Sequence, residues 1–215
     1  LHVVFAIDRA GLVGSDGETH QGIFDLSFLA SIPNLCIMAP KNKQELYSML
    51  KFALKYDGPI AIRYPRGQAY EGLDGFREKI VYGKAEVLYK EKEIALLAVG
   101  SMVKVAEEVR EALKEKGYHC TLVNARFVKE FDKELIRELS ADHKLLVTME
   151  ENVATGGFGE RVVDYVYSEH INLDVEKIAL PDMYVEHGNV NILYKDARID
   201  ADSVVERILA AMERD

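Results

Sequence analysis

The 215-residue sequence has little positive charge, few cysteines and no long hydrophobic run, and each shortage excludes a class of protein. Its 36 Asp and Glu against 27 Lys and Arg give a formal net charge of −9, so nucleic acids and anionic membrane surfaces would be repelled overall. Cys36 and Cys120 lie in apolar segments, which predicts reduced core thiols of a cytoplasmic protein rather than a disulfide framework. No apolar stretch reaches membrane-spanning length, and no signal peptide is expected.

What the sequence does contain, at 48% hydrophobic and 29% charged residues, is the composition of an ordinary soluble globular protein. Strand and helix signals alternate in its first third, and this β-α-β-α-β order predicts a parallel sheet with helices on its faces. Three strands are too few to bury such apolar segments well, so we expect this first domain to be truncated at its start. The predicted elements are strand 3–7, helix 22–30, strand 35–39, helix 43–56 capped by Asn42, and strand 59–64.

A linker and a second α/β domain are predicted for the rest of the chain. Residues 68–83 contain three glycines and show no periodicity, as is typical of a connection between domains. Residues 84–215 carry enough strands and helices for a domain of their own, and Ser101 is expected to cap the first helix. The predicted strands are 86–89, 94–99, 120–124, 144–149 and 175–180, and the predicted helices are 103–116, 132–139, 158–169 and 202–212.

The densest chemistry lies in residues 8–22, directly after the first predicted strand. Four glycines break any regular structure there, and the segment also holds Arg9, Asp16, Glu18, Thr19 and His20. In open parallel sheets, ligands bind where the carboxyl ends of strands give way to such loops. A polar surface turn is the alternative, but a second strand end bearing arginine favours an active-site loop.

Arg9 and Arg66 each follow a predicted strand at its carboxyl end, so both side chains are expected to face one crevice. The planar guanidinium bonds phosphate with two parallel N–H groups and stays charged at every working pH. The alternative is a structural ion pair of Arg9 with Asp8 or Asp16, and spacing alone supports the two equally. Arg63 lies within the strand and is compatible with either a site or a structural role.

His20 is the residue of this loop whose type changes charge near neutral pH, which suits proton transfer. A lone histidine in a loop more often serves only as a hydrogen-bonding group, so both interpretations stand. His119, His143, His170 and His187 have no ligand-like spacing, and no metal site is predicted.

The run 156–159, Gly-Gly-Phe-Gly, begins a predicted helix and could bind an anion at the helix N-terminus. It lacks the spacing of a dinucleotide fingerprint. Close packing of strand against helix is the expected reason for these glycines.

The order of several motifs resembles the 1-deoxy-D-xylulose-5-phosphate synthase family of the transketolase superfamily. The resemblance extends over essentially all 215 residues, but they correspond only to the last part of the longer family chain. The motifs are DRAG (8–11), DGETHQG (16–22), RYPRG (63–67), Glu150-Glu151-Asn152, Gly156-Gly157 and Leu180-Pro181-Asp182.

This resemblance implies an α/β fold with three parts. Residues 1–67 would be the C-terminal part of the pyrimidine-binding domain, 68–83 a linker, and 84–215 the transketolase C-terminal domain. It implies a thiamine diphosphate- and Mg²⁺-dependent transferase that joins pyruvate to glyceraldehyde 3-phosphate and releases CO₂. That reaction opens the methylerythritol phosphate route to isoprenoids, thiamine and pyridoxal phosphate.

The resemblance also implies roles for four residues. Arg9 and Arg66 would contact the phosphate of glyceraldehyde 3-phosphate, and Asp16 would bond a hydroxyl of this acceptor. His20 would face the thiazolium ring and act both in catalysis and in cofactor binding.

In that family, the glutamate that activates the cofactor and most ligands of its magnesium ion lie upstream of these residues. We therefore expect the chain alone to be inactive, and to work as a cytoplasmic homodimer together with the missing N-terminal domains. Another superfamily enzyme, such as a transketolase or the β subunit of a 2-oxo acid dehydrogenase, is an alternative, and the DRAG and RYPRG motifs disfavour the transketolase. A non-catalytic assembly subunit is another alternative.

Overall fold

The structure, a computed structural model, describes residues 1–213 as an α/β protein. The predicted fold class is confirmed. The elements in chain order are β1 (Val3–Ile7), α1 (Asp25–Ala30), β2 (Cys36–Met38), α2 (Lys43–Ala53), β3 (Pro59–Arg63), β4 (Glu86–Tyr89), β5 (Glu93–Ala98), α3 (Met102–Glu115), β6 (Cys120–Asn124), α4 (Lys133–Leu139), β7 (His143–Val153), α5 (Phe158–Ser168), β8 (Asp174–Leu180), α6 (Val190–Asp196) and α7 (Ala201–Met212).

The first sheet is parallel, with the strand order β1-β3-β2. Its register pairs Val3 with Pro59 and Ile7 with Arg63, so β1 and β3 end side by side. The expectation that Arg9 and Arg66 follow neighbouring strand ends is therefore confirmed.

The second sheet has the order β4-β6-β5-β7-β8, in which β4 alone runs antiparallel to its neighbour. Successive side chains of its central strands point to opposite faces of the sheet. Leu96 of β5 packs in a cluster with α3 and α7, whereas Leu97 packs in another with α4 and α5. That second cluster also contains Leu26 and Leu29 of α1, so the two sheets share apolar core.

Residues 68–83 contain no helix or strand, yet they are fastened by a buried group of charges. We call Lys41, Glu45, Glu86, Asn124 and Arg126 the buried charge cluster. Lys41 Nζ lies 2.6 Å from Glu86 Oε2, and Arg126 Nε lies 2.7 Å from Glu45 Oε1. Arg126 Nη2 also donates to the carbonyl of Glu78 at 3.0 Å, which holds the 68–83 segment against both sheets.

Most helix and strand predictions hold to within three residues, and the misses have physical causes. Helix α1 begins at Asp25 rather than at residue 22, because Gly22 is tied to the backbone of Arg9 and Gly11. Asn42 caps α2 as predicted, accepting a bond from Glu45 N at 2.9 Å. The helix ends at Ala53, three residues before the predicted end.

The predicted cap of Ser101 on α3 is wrong. Its side chain makes no capping bond, because the hydroxyl donates instead to Glu151 Oε2 at 2.6 Å. Strand β7 runs on to Val153, and the short helix α6 was not predicted.

The prediction that both cysteines are core thiols outside a disulfide is confirmed. Cys36 and Cys120 are both free and buried, and burial raises the pKa of each thiol to about 12. None of the helices within residues 1–213 combines the length and the apolarity needed to cross a bilayer.

Candidate active site

Residues 8–22 form a loop, here called the glycine loop, whose two ends meet at the carboxyl end of β1. Gly22 N donates to Arg9 O at 2.9 Å, and Gly11 N donates to Gly22 O at 3.0 Å. A Cβ on Gly22 would lie 2.4 Å from Arg9 O, so this contact admits no side chain. Gly11 has φ +73°, a conformation that favours glycine. The glycines therefore allow the chain to leave the strand and return to the same point.

Arg9 and Arg66 converge on the carboxylate of Asp16. Arg9 Nε lies 2.7 Å from Asp16 Oδ2, and Arg66 Nη1 donates to Oδ1 of the same group. The bond from Arg66, more than that from Arg9, lowers the pKa of Asp16. The side chains of Arg9 and Arg66 are 40% and 48% exposed, and each guanidinium has N–H donors beyond those that Asp16 takes. Arg9 and Arg66 can therefore bind an incoming anion while Asp16 holds the two guanidiniums in position.

The alternative ion pairs of Arg9 are both present in the structure. Its carboxylate partners are Asp16 and, more distantly, Asp8 at 3.8 Å. Because these pairs leave the guanidinium partly exposed, they orient Arg9 and still leave N–H donors free to bind a ligand.

His20 lies exposed in the same loop. Its Nδ1 is 2.8 Å from Thr19 Oγ1, and its backbone N–H donates to Gly17 O at 3.3 Å. In the part of the chain that the structure describes, no partner takes Nε2. One ring nitrogen is thus fixed by a neighbour while the other faces solvent, an arrangement that suits proton exchange with a ligand.

Arg63, whose role the sequence left open, is a structural residue. It is 3% exposed, its Nε lies 3.1 Å from Asp25 Oδ2, and its Nη2 donates to Glu151 O at 2.9 Å. Arg63 Nη2 also donates to Gly22 O at 2.5 Å. Arg63 thus joins the base of the glycine loop to the first residue of α1 and to β7.

The glycine loop is also held by three residues from the last third of the chain, whose contacts with the loop the sequence did not predict. Leu12 N donates to Glu151 Oε1 at 2.6 Å, and Gln21 Nε2 donates to Val185 O at 2.6 Å. Gly188 N donates to Gly14 O at 2.9 Å. One signal in the sequence could have pointed to Glu151. The run Glu150-Glu151-Asn152 places three polar residues at the end of an apolar strand.

The glycine-rich start of α5 is filled by the chain itself. Glu150 accepts bonds from Phe158 N at 2.8 Å and Gly159 N at 2.7 Å, so a protein carboxylate takes the place of an external anion. Burial raises the pKa of this carboxyl to about 7. A Cβ on Gly159 would lie 2.5 Å from Thr148 Oγ1, which confirms the predicted close packing.

A cleft of about 990 Å³ opens beside Arg66. Residues before and after the 68–83 segment line it together, among them Tyr64, Lys104 and Tyr194. Within residues 1–213, no three His, Cys, Asp or Glu side chains are placed to hold a metal ion.

Two family models match the sequence. The transketolase pyrimidine-binding domain matches residues 1–71, and the transketolase C-terminal domain matches residues 83–204. The second match alone covers more than half of the chain.

Curated relatives extend this similarity to nearly every residue. The 1-deoxy-D-xylulose-5-phosphate synthase of Lachnoclostridium phytofermentans is 50% identical over 214 residues, which are 97% of this chain and 33% of that protein. The synthase of Heliobacterium modesticaldum is 45% identical over 215 residues, which are 99% of this chain and 33% of that protein. The chain thus spans about a third of the length of these relatives.

Solved structures with the same fold include two transketolases. One, described as a split gene transketolase in an inactive beta4 tetramer, has a TM-score of 0.89 and 27% identity. The match covers 99% of this chain and 68% of that one. The transketolase of Campylobacter jejuni has a TM-score of 0.74 at 24% identity, covering 96% of this chain and 31% of that one, and shows the fold alone.

Proposed function

The chain belongs to the transketolase family, and from this premise we propose that it forms the acceptor-binding portion of a 1-deoxy-D-xylulose-5-phosphate synthase. The complete enzyme would join pyruvate to glyceraldehyde 3-phosphate with release of CO₂, the first step of the methylerythritol phosphate route. The observation that carries this proposal is the pair of half-exposed guanidiniums, Arg9 and Arg66, at two neighbouring strand ends.

The proposed division of the chain places residues 1–67 in the pyrimidine-binding domain, 68–83 in a linker and 84–215 in the C-terminal domain. The matches to residues 1–71 and 83–204 support it. The remaining domains would supply most ligands of the magnesium ion and most contacts to the cofactor, so these 215 residues alone would be inactive. The similar split gene transketolase, described as an inactive tetramer, supports this part of the proposal. The working enzyme would be a cytoplasmic homodimer, and the two free, buried cysteines of this chain support the cytoplasmic location.

Arg9 and Arg66 would bind the phosphate of the acceptor. Both guanidiniums are oriented in advance by Asp16, so little side-chain freedom is lost when the anion arrives. Asp16 would in turn accept a bond from a hydroxyl group of the same substrate, so the acceptor would be held at two points. This would favour a short phosphorylated aldehyde over one without phosphate.

His20 would hold or move a proton at the oxygen of the reacting carbonyl. Thiamine diphosphate, when bound, supplies the carbon nucleophile of such a reaction. The residues present fit its reactive end: His20 offers Nε2 to solvent, while Nδ1 is bonded to Thr19. Hydrogen-bond donors or acceptors fixed in this way stabilise developing charge without reorganising at the moment of reaction.

The test is steady-state turnover of His20→Asn in the enzyme that contains this chain together with its other domains. Asparagine keeps a polar side chain but cannot exchange a proton near neutral pH, so turnover should fall roughly 10²–10⁴-fold. Thiamine diphosphate affinity, titrated in the same sample, should hardly change.

Glu18→Gln is the matched control, because Glu18 lies in the same exposed turn and has no assigned role. It should retain turnover close to that of the parent enzyme. Near-normal turnover of His20→Asn with intact cofactor binding would assign His20 a structural role instead.

A further inference from the structure

Glu151 lies at the end of β7 and is almost fully buried, at 3% exposure. Its Oε1 accepts the bond from Leu12 N at 2.6 Å, and its Oε2 accepts the bond from Ser101 Oγ at 2.6 Å. A buried carboxylate with two donors, one on each oxygen, is firmly oriented.

The glycine loop is built directly against this carboxylate. A Cβ on Gly11 would lie 2.1 Å from the Cδ of Glu151, a distance that no side chain tolerates. Gly11 therefore allows the loop backbone to reach the carboxyl group, and Leu12 N–H then bonds to it. Arg9 precedes this anchor by three residues, and Asp16 follows it by four.

The two neighbours of Glu151 bind different parts of the fold. Glu150 accepts from the first amides of α5, and Asn152 Oδ1 accepts from Leu26 N of α1 at 3.0 Å. Of these three side chains, Glu151 is the one bonded to the glycine loop. Adjacent buried glutamates with separate partners allow the anchoring of the loop to be distinguished from general stability.

We propose that Glu151 is a positioning residue for the acceptor site: its carboxylate holds Leu12 N–H and thereby sets the places of Arg9, Asp16 and His20. This inference rests on the proposed function for its effect on the reaction, but the anchor itself is independent of it. A displacement of about 1 Å at a reacting group can cost as much as roughly 10²-fold in rate, so such an anchor has a measurable catalytic effect.

The first experiment measures amide hydrogen exchange in the 215-residue chain and its variants. In Glu151→Ala, the Leu12 amide should exchange roughly ten- to a hundredfold faster, as expected when a buried donor loses its acceptor. In Glu151→Gln, which keeps one acceptor oxygen, the increase should be smaller. In the control Glu150→Gln, the Phe158 and Gly159 amides should respond, and the Leu12 amide should not.

The second experiment measures kinetics in the complete enzyme. Glu151→Ala should lower kcat/KM for glyceraldehyde 3-phosphate by up to roughly 10²-fold, with a smaller rise in KM for pyruvate. Glu151→Gln should restore part of this loss. Glu150→Gln should leave the kinetics per folded enzyme within about twofold of the parent.

The outcomes separate the two proposals. Unchanged Leu12 exchange in both Glu151 variants, or equal kinetic losses in Glu150→Gln and Glu151→Gln, would overturn the positioning role. If Glu151→Ala does not fold, Glu151→Gln alone decides. A parent enzyme without synthase activity would remove the proposed function, while the exchange data would still decide whether Glu151 anchors the loop.

Discussion

The buried charge cluster and the glycine loop are built from the same chemistry, an arginine against a carboxylate, but differ in exposure. Arg126 and its partners Glu45 and Glu86 have side chains that are 1–2% exposed. Arg9 and Arg66 pair with Asp16 while remaining 40% and 48% exposed.

This difference decides which cluster can bind a ligand. In the buried charge cluster, Arg126 donates to Glu45, to the carbonyl of Glu78 and more weakly to that of Lys79, so its donors are taken by the protein. In the glycine loop, Asp16 takes one nitrogen of each guanidinium. Charge alone therefore does not identify a binding site. What identifies it is a set of arginine N–H donors that have no partner within the protein.

The largest effect that this comparison predicts is on stability, in Arg126→Met. Removal of one partner leaves buried carboxylates without compensation, and the free energy of unfolding should fall by roughly 3–5 kcal/mol. Urea titration measures it. The matched control is Arg77→Met, because Arg77 pairs with Asp74 on the surface and should cost less than about 1 kcal/mol. Similar losses in the two variants would remove the distinction between the clusters.

The next effect is on binding, in Arg9→Ala and Arg66→Ala of the complete enzyme. Under the proposed function, each substitution would remove charge-assisted bonds to the acceptor phosphate and should weaken the binding of glyceraldehyde 3-phosphate roughly 10- to 100-fold. Affinity for pyruvate should change far less, and the stability of the chain should hardly change. Equal losses for both substrates would contradict the assignment of these arginines to the phosphate.

The smallest effect is in the pH dependence of stability. Burial raises the pKa of Glu86, but its bonds with Lys41 and its attraction to Arg126 outweigh burial and bring the pKa below the ordinary value of 4.5. A carboxyl with a lowered folded-state pKa adds stability above its unfolded pKa, and this stability is lost as the pH falls through the folded value. One such group contributes a slope of at most about 1.4 kcal/mol per pH unit.

Urea titrations between pH 5.5 and pH 3 in low and high salt compare the two clusters on this scale. Glu86→Gln should remove part of the slope of the unfolding free energy against pH. This part should be the same in low and high salt, because the ion pairs of Glu86 are buried. The pKa of Asp16 is also lowered, chiefly by Arg66, but any slope removed by Asp16→Asn should be screened by salt. Salt sensitivity of the same size in both would count against the comparison.

The sequence predicted what depends on neighbours along the chain. The cap of Asn42 involves a residue three positions away, and the strand ends at Arg9 and Arg66 follow from apolar runs closed by polar residues. Ser101 looks like a cap by the same local rule, but a buried carboxylate from elsewhere in the fold takes its hydroxyl.

The supports of the site were missed because they are distant in sequence. Leu12 and Glu151 are 139 positions apart, and Gln21 and Val185 are 164 apart. No periodicity or spacing links such pairs, so only the folded chain reveals them. Helix α6, seven residues long, is similarly too short to give a clear 3.6-residue pattern.

The meeting of the two ends of the glycine loop has a consequence for protein engineering. Because Gly22 returns to Arg9 and Gly11, residues 12–21 form a cassette whose exchange leaves the ends of the loop fixed to each other. The cassette is not self-contained, however, since Glu151, Val185 and Gly188 contribute its outer supports. A chimera that imports substrate preference from a relative therefore has to import the matching residues of the last third of the chain as well.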